Sequence, residues 1–99
     1  MHTSPITPVA TKMVTTLLAG LIARRACATT DLRLACNWLF GAHQLAYAIG
    51  DPGAVAILNK AEVELRNIAD RYGEELEVLA WLGNLLERIS GQEREAAHD

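Results

Sequence analysis

Apolar residues recur at intervals of three and four along most of the chain, which is the period of an amphipathic α-helix. Turn-forming residues interrupt the pattern around residues 24–30, at Gly50-Asp51-Pro52 and at Gly73. The pattern therefore predicts four helices. Their expected ranges are about 8–27, 31–49, 52–72 and 74–90, followed by a frayed polar tail over 91–99.

Residue types at the predicted boundaries agree with these ranges. Thr7 followed by Pro8 suits a helix start, because threonine caps the first turn and proline tolerates the first helical position. Gly50 suits a helix end, and Pro52 suits the start of the next helix. Gly73 separates the third helix from the fourth.

The fold class predicted from this organisation is all-α. Ala and Leu together number 30, against 11 for Val and Ile, which favours helices over strands. Short loops force neighbouring helices to run antiparallel. Residues 1–99 are therefore expected to form a single helical domain, either a small four-helix antiparallel bundle or a set of stacked helical hairpins.

One helix pair has a recognisable spacing. Trp38 on the second helix is followed by Ala54, Leu58 and Ala61 on the third. This spacing resembles the tetratricopeptide helix pair over about a quarter of the chain. The family's central Leu-Gly pair and a second copy at the 34-residue period are both missing. The resemblance implies a single helical hairpin that binds a peptide or a helix.

The second and fourth helices carry more apolar residues than one buried face requires. In the range 31–49, 13 of 19 residues are apolar or aromatic, whereas a helix facing one core needs about three in seven. Apolar surface that a monomer cannot bury marks a binding interface. The candidate partner-binding residues are Trp38, Phe40, Leu45, Trp81 and Leu85.

Charge is distributed unevenly between the two halves of the chain. Residues 1–50 carry four basic and one acidic residue, a net of +3, and residues 51–99 carry five basic and eleven acidic residues, a net of −6. The halves can pair within one domain, or Arg24, Arg25 and Arg33 can form an electrostatic docking site for an acidic partner. The overall charge of −3 disfavours nucleic acid as a partner.

Polar residues show no arrangement typical of catalysis or of a metal site. Cys36 and His43 lie two helical turns apart, about 10 Å, which is too far for two ligands of one zinc ion. Glu62 and Glu64 are interpreted as part of a solvated helix face. Glycine-rich phosphate loops, Cys-x-x-Cys and His-Glu-x-x-His motifs are absent. We expect no enzyme activity, no cofactor and no metal.

The cysteine content and the apolar segments bear on location. Cys27 and Cys36 are too few for a disulfide framework, which favours a reducing compartment. The apolar run Met13–Ala23 has the length of a signal-peptide core, but two arginines follow it where a cleavage site is neutral. It is also shorter than the roughly 20 residues that span a bilayer. We expect a cytoplasmic protein without membrane association.

These observations favour a non-enzymatic protein–protein interaction module, such as a small chaperone, adaptor or inhibitor. It would act by self-association or by binding a partner helix. Two alternatives stay open. One is a dimeric DNA-associated regulator that uses Arg24, Arg25 and Arg33, and the other is a binder of a small apolar ligand.

Overall fold

Four α-helices account for most of the chain. The computed structural model describes residues 6–98, with side chains over 7–91. The helices are α1 (Ile6–Ala23), α2 (Thr29–Ile49), α3 (Pro52–Arg71) and α4 (Glu75–His98). No strand occurs in the described range. The predicted all-α fold is confirmed.

The third helix occupies the centre of the arrangement. α3 packs against α1, α2 and α4, and α1 also packs against α4. α2 makes its main contacts with α3. The α2–α3 pair is therefore a helical hairpin, with α2 added at the edge of the group formed by α1, α3 and α4. α2 carries more apolar residues than one buried face requires, and it has the fewest main neighbours.

The core consists of aliphatic side chains from all four helices. On α3, Ala54, Leu58, Ala61, Leu65 and Ile68 are buried, as their four-and-three spacing indicates. Small alanines in this row let neighbouring helices approach closely. The largest fully buried side chains of the core are Val14, Leu18, Leu32, Leu39, Leu65, Val78, Leu82, Leu85 and Ile89.

The connection between α2 and α3 has the predicted chemistry. Gly50 adopts the left-handed conformation, with φ of 86°, and its N–H donates to the carbonyls of Ala46 and Tyr47. Asp51 caps α3 by accepting a hydrogen bond of 3.1 Å from the Ala54 N–H. Glycine ends one helix and aspartate with Pro52 begins the next.

The first helix differs from the prediction at both ends. α1 begins at Ile6, and Thr7 lies inside its first turn instead of capping it. The Thr7 hydroxyl donates to Asp51 Oδ1 at 3.0 Å, which links α1 to the start of α3. α1 ends at Ala23, short of the predicted residue 27, because Arg25 has a φ of +52° that an α-helix does not accommodate.

The fourth helix is longer than predicted. It continues through Gly91 to His98, so the backbone over 91–98 is helical where the sequence predicted a frayed tail. Gln, Glu, Arg and Ala dominate this stretch, and all of them favour helix. Asp99 lies outside the described residues.

Glycine is required where α1 meets the first turn of α3. A Cβ added at Gly53 would lie 2.7 Å from Thr7 Oγ1, which is held by its hydrogen bond to Asp51. We expect Gly53→Ala to lower the free energy of unfolding by about 1–3 kcal/mol, because Thr7 must move or lose that bond. Urea denaturation measures the change.

The matched control is Gly83→Ala in α4, where an added Cβ meets nothing within 4 Å. This substitution should raise the free energy of unfolding by about 0.5–1 kcal/mol, because alanine favours helix. Equal effects of the two substitutions would contradict the close contact between α1 and α3.

Candidate protein-binding groove

α2 carries a continuous apolar row on a side that α3 does not cover. Leu34, Trp38, Gly41, Leu45 and Ala48 recur at intervals of four and three, so they share one side of the helix. We call this row the α2 seam. Leu34 and Leu45 are each 63% exposed and Trp38 is 47% exposed. Residues 34–50 include no Asp, Glu, Lys or Arg, so no charge interrupts the seam.

An open groove of about 590 Å³ runs between α1 and α2. Trp38 contributes the α2 side. The α1 side includes Val9, Met13 and Leu17, which are four residues apart and therefore lie on one face of that helix. The complete set of lining residues is Pro8, Val9, Lys12, Met13, Thr16, Leu17 and Trp38. Lys12 is the one charged member of this set, so the groove is suited to apolar groups.

Sequence reasoning missed the α1 wall of the groove. The apolar stripe of α1 includes Met13 and Leu17, and its periodicity suggests that all of it faces the core. Only part of the stripe is fully buried, including Val14 and Leu18, whereas Met13 and Leu17 are half-buried beside the groove. The width of this stripe could have indicated a second apolar surface on α1, because a helix that contacts one core needs fewer apolar positions.

The predicted partner-binding residues do not form one surface. Trp38 and Leu45 lie together on the α2 seam. Phe40 lies about 200° around the helix from Trp38, on the flank where it contacts His43 with ring centroids 6.4 Å apart. Trp81 belongs to a different surface between α3 and α4, where it stacks on Tyr72 at 5.3 Å.

Leu85 is not available to a partner. Its side chain is 0% exposed and belongs to the core, so its placement among the partner-binding candidates is corrected. α4 exposes fewer large apolar side chains than α2, because α4 contacts both α1 and α3. In the described part of α4, Leu76 and Trp81 are the exposed large apolar side chains.

Two of the three arginines proposed for electrostatic docking form ion pairs within the fold. Arg25 Nε lies 2.7 Å from Glu75 Oε1, and Arg33 Nη2 lies 3.6 Å from Asp70 Oδ1. Arg24 is exposed. Two basic residues of the first half, Arg25 and Arg33, therefore pair with acidic residues of the second half.

Glu62 and Glu64 of α3 lie where neighbouring helices pack against it. Glu62 is buried and forms an ion pair with Arg66, and its backbone carbonyl accepts a hydrogen bond of 3.9 Å from the Cys36 thiol of α2. The interpretation of Glu62 as solvated was wrong, because α2 covers this side of α3. Glu64 is half-buried and pairs with Arg88 of α4 at 2.6 Å.

The two thiols are free, and burial raises the pKa of both Cys36 and Cys27. The negative charge of Glu75 adds to this effect at Cys27. Among the residues that the structure describes, no group of three or more His, Cys, Asp or Glu is placed to hold a metal ion.

Among the described residues, no helix combines the length and the apolar character needed to cross a bilayer.

Comparison with known protein families, curated proteins and solved structures gives no match for this chain. The functional interpretation therefore depends on the groove and its residues.

Two leucines of α4 test the division between core and surface. Leu85→Ala should lower the free energy of unfolding by about 2–5 kcal/mol, because it leaves a cavity in the core. Leu76→Ala removes the same atoms from a side chain that is 75% exposed, so we expect a change within about 0.5 kcal/mol. Urea denaturation compares them. Similar losses would contradict the burial of Leu85.

Thiol reactivity should separate the two cysteines. With 5,5′-dithiobis(2-nitrobenzoate) at about pH 8, near the ordinary pKa of cysteine, we expect half-buried Cys27 to react slowly and buried Cys36 only after unfolding. A raised pKa leaves less thiolate at a given pH, so the Cys27 rate should keep rising as the pH increases beyond this value. The variants Cys27→Ala and Cys36→Ala assign the two phases. Fast reaction of both thiols in the folded protein would contradict their placement.

Proposed function

We propose that this protein is a non-enzymatic protein-binding module whose binding site is the groove between α1 and α2. The observation that carries the proposal is the open apolar groove of about 590 Å³ with the half-exposed Trp38 in its wall. Tryptophan is enriched among the residues that dominate binding energy at interfaces. Exposure of the Trp38 side chain does not stabilise a monomer, because it leaves apolar surface in water.

An amphipathic helix is the ligand shape that this groove favours. The α1 wall presents Val9, Met13 and Leu17 at helical spacing, and Trp38 of the α2 seam forms the opposite side. A helix laid between them packs its apolar face against both walls. Each large apolar side chain removed from water contributes about 1.5–3 kcal/mol.

The two other functions receive less support from the geometry. Small apolar ligands favour pockets that enclose most of their surface, whereas this groove is open. A DNA-associated regulator needs a basic face, and Arg25 and Arg33 are engaged with Glu75 and Asp70. Protein binding is therefore the function that we propose.

The proposed module acts in the cytoplasm. Two free cysteines, one buried and one half-buried, support a reducing compartment.

Binding of the apolar dye 8-anilinonaphthalene-1-sulfonate tests the groove. We expect the wild-type protein to bind the dye, with fluorescence that decreases several-fold in Trp38→Ala. Phe40→Ala is the matched control, because Phe40 is 50% exposed on the same helix but lies outside the groove. Measurement over a dilution series removes the effect of self-association. No dye binding at any dilution, or equal losses in the two variants, would overturn the proposal.

A further inference from the structure

We infer that α2 of a second copy of this chain covers the α2 seam, bound antiparallel about a two-fold axis, and reaches the groove at Trp38. The inference rests on the proposed function, because Trp38 belongs to both the seam and the groove. It is argued from the self-complementary shape of the α2 seam, from its lack of charge and from the area that the groove offers.

The α2 seam matches itself in one antiparallel register. In this register, two copies of α2 run in opposite directions, and residues of the two copies whose numbers add up to 79 lie at the same level. Leu34 then faces Leu45 of the second copy, and Trp38 faces Gly41 of the second copy. The two-fold axis repeats both contacts. Such an isologous contact uses the same patch on both molecules.

The contact between Trp38 and Gly41 of the second copy joins a large residue to a small one. A Cβ added at Gly41 would meet nothing within 4 Å in the monomer, so the space above this glycine is open. Glycine is unfavourable in the middle of a helix. Its absence of a side chain is useful here because it leaves a flat surface for an indole ring.

A register shifted by seven residues is less favourable. It places Trp38 opposite Ala48 and Gly41 opposite Leu45, but Leu34 then faces Pro52, beyond the end of α2. The register with sum 79 pairs Leu34 with Leu45, the two leucines of the seam. It therefore removes more apolar surface from water.

Electrostatics do not oppose the pairing. Residues 34–50 contain no Asp, Glu, Lys or Arg, so the association desolvates no formal charge of these segments. In an antiparallel pair, the positive N-terminal end of each helix dipole also lies beside the negative C-terminal end of the other.

The available area requires α1 as well as α2. A large side chain carries about 150–250 Å², so the three half-exposed side chains of the seam offer roughly 300 Å² per copy. A stable interface buries about 800 Å² per partner. Val9, Met13 and Leu17 lie with Trp38 at the groove and add apolar area beside the seam. The inferred contact is therefore the α2 seam together with these apolar residues of α1, on both copies.

The test measures mass by analytical ultracentrifugation over a range of concentrations, with Gly41→Leu as the main variant. Gly41 is exposed and a Cβ added there meets nothing within 4 Å in the monomer, so circular dichroism should show an intact fold. It collides with Trp38 of the second copy, and we expect dimerisation to weaken at least about tenfold. The control is Gly83→Leu on α4, where an added Cβ also meets nothing within 4 Å.

A size swap tests the register. Trp38→Ala combined with Gly41→Leu exchanges the large and small members of the contact, and we expect it to recover dimerisation relative to Gly41→Leu alone. In Trp81→Phe, Trp38 is the sole tryptophan, and its emission should shift to shorter wavelength as the dimer forms. Absence of rescue, or a dimer indifferent to Gly41→Leu, would overturn the inferred contact.

The result also separates this inference from the proposed function. A chain that is monomeric at every concentration but binds the dye through Trp38 overturns the second copy as occupant and leaves the groove as a site for another protein. A monomer that binds no dye overturns both.

Discussion

The placement of α3 between the other three helices is the constraint on which the rest of the structure depends. α3 buries more than one face, since Ala54, Leu58 and Ala61 are joined in the interior by Glu62 and Ala69. α1 and α4 contact each other as well as α3, which leaves α2 with one main neighbour. Because α2 is apolar almost all round, an edge position with one neighbour necessarily exposes part of its apolar surface. The α2 seam is thus a consequence of the topology.

Polar side-chain contacts link distant parts of the chain but contribute little to stability. Arg25 pairs with Glu75, and Arg88 pairs with Glu64, each between different parts of the chain. Exposed pairs of this kind contribute about 0–1 kcal/mol each. The hydrogen bond from Thr7 to Asp51 is more specific, because the same carboxylate oxygen also caps α3. One aspartate therefore aligns the start of α1 with the start of α3.

Local chemistry made the helices predictable, whereas tertiary contacts made the site only partly so. Gly50 and Asp51 act through their immediate neighbours, so sequence identifies their roles. Leu85 and Leu45 both belong to helices with surplus apolar residues, and the count alone cannot tell which of them faces the core. The interior position of Glu62 depends on α2, a helix that is distant in sequence. The four-and-three spacing that contains Trp38 and Gly41 is visible in the sequence, but only the edge position of α2 makes it an exposed seam.

How an exposed, uncharged helix face pairs with other molecules decides whether the association ends. Apolar patches that pair with a different surface of the next molecule leave one unpaired patch at each end, and growth continues unless the assembly closes into a ring. A patch that pairs with itself about a two-fold axis is used up on both molecules at once. The α2 seam has the composition for this, because Gly41 is the small counterpart of Trp38 within one row. In the inferred dimer, the same residues that expose the apolar surface also limit the assembly to two copies.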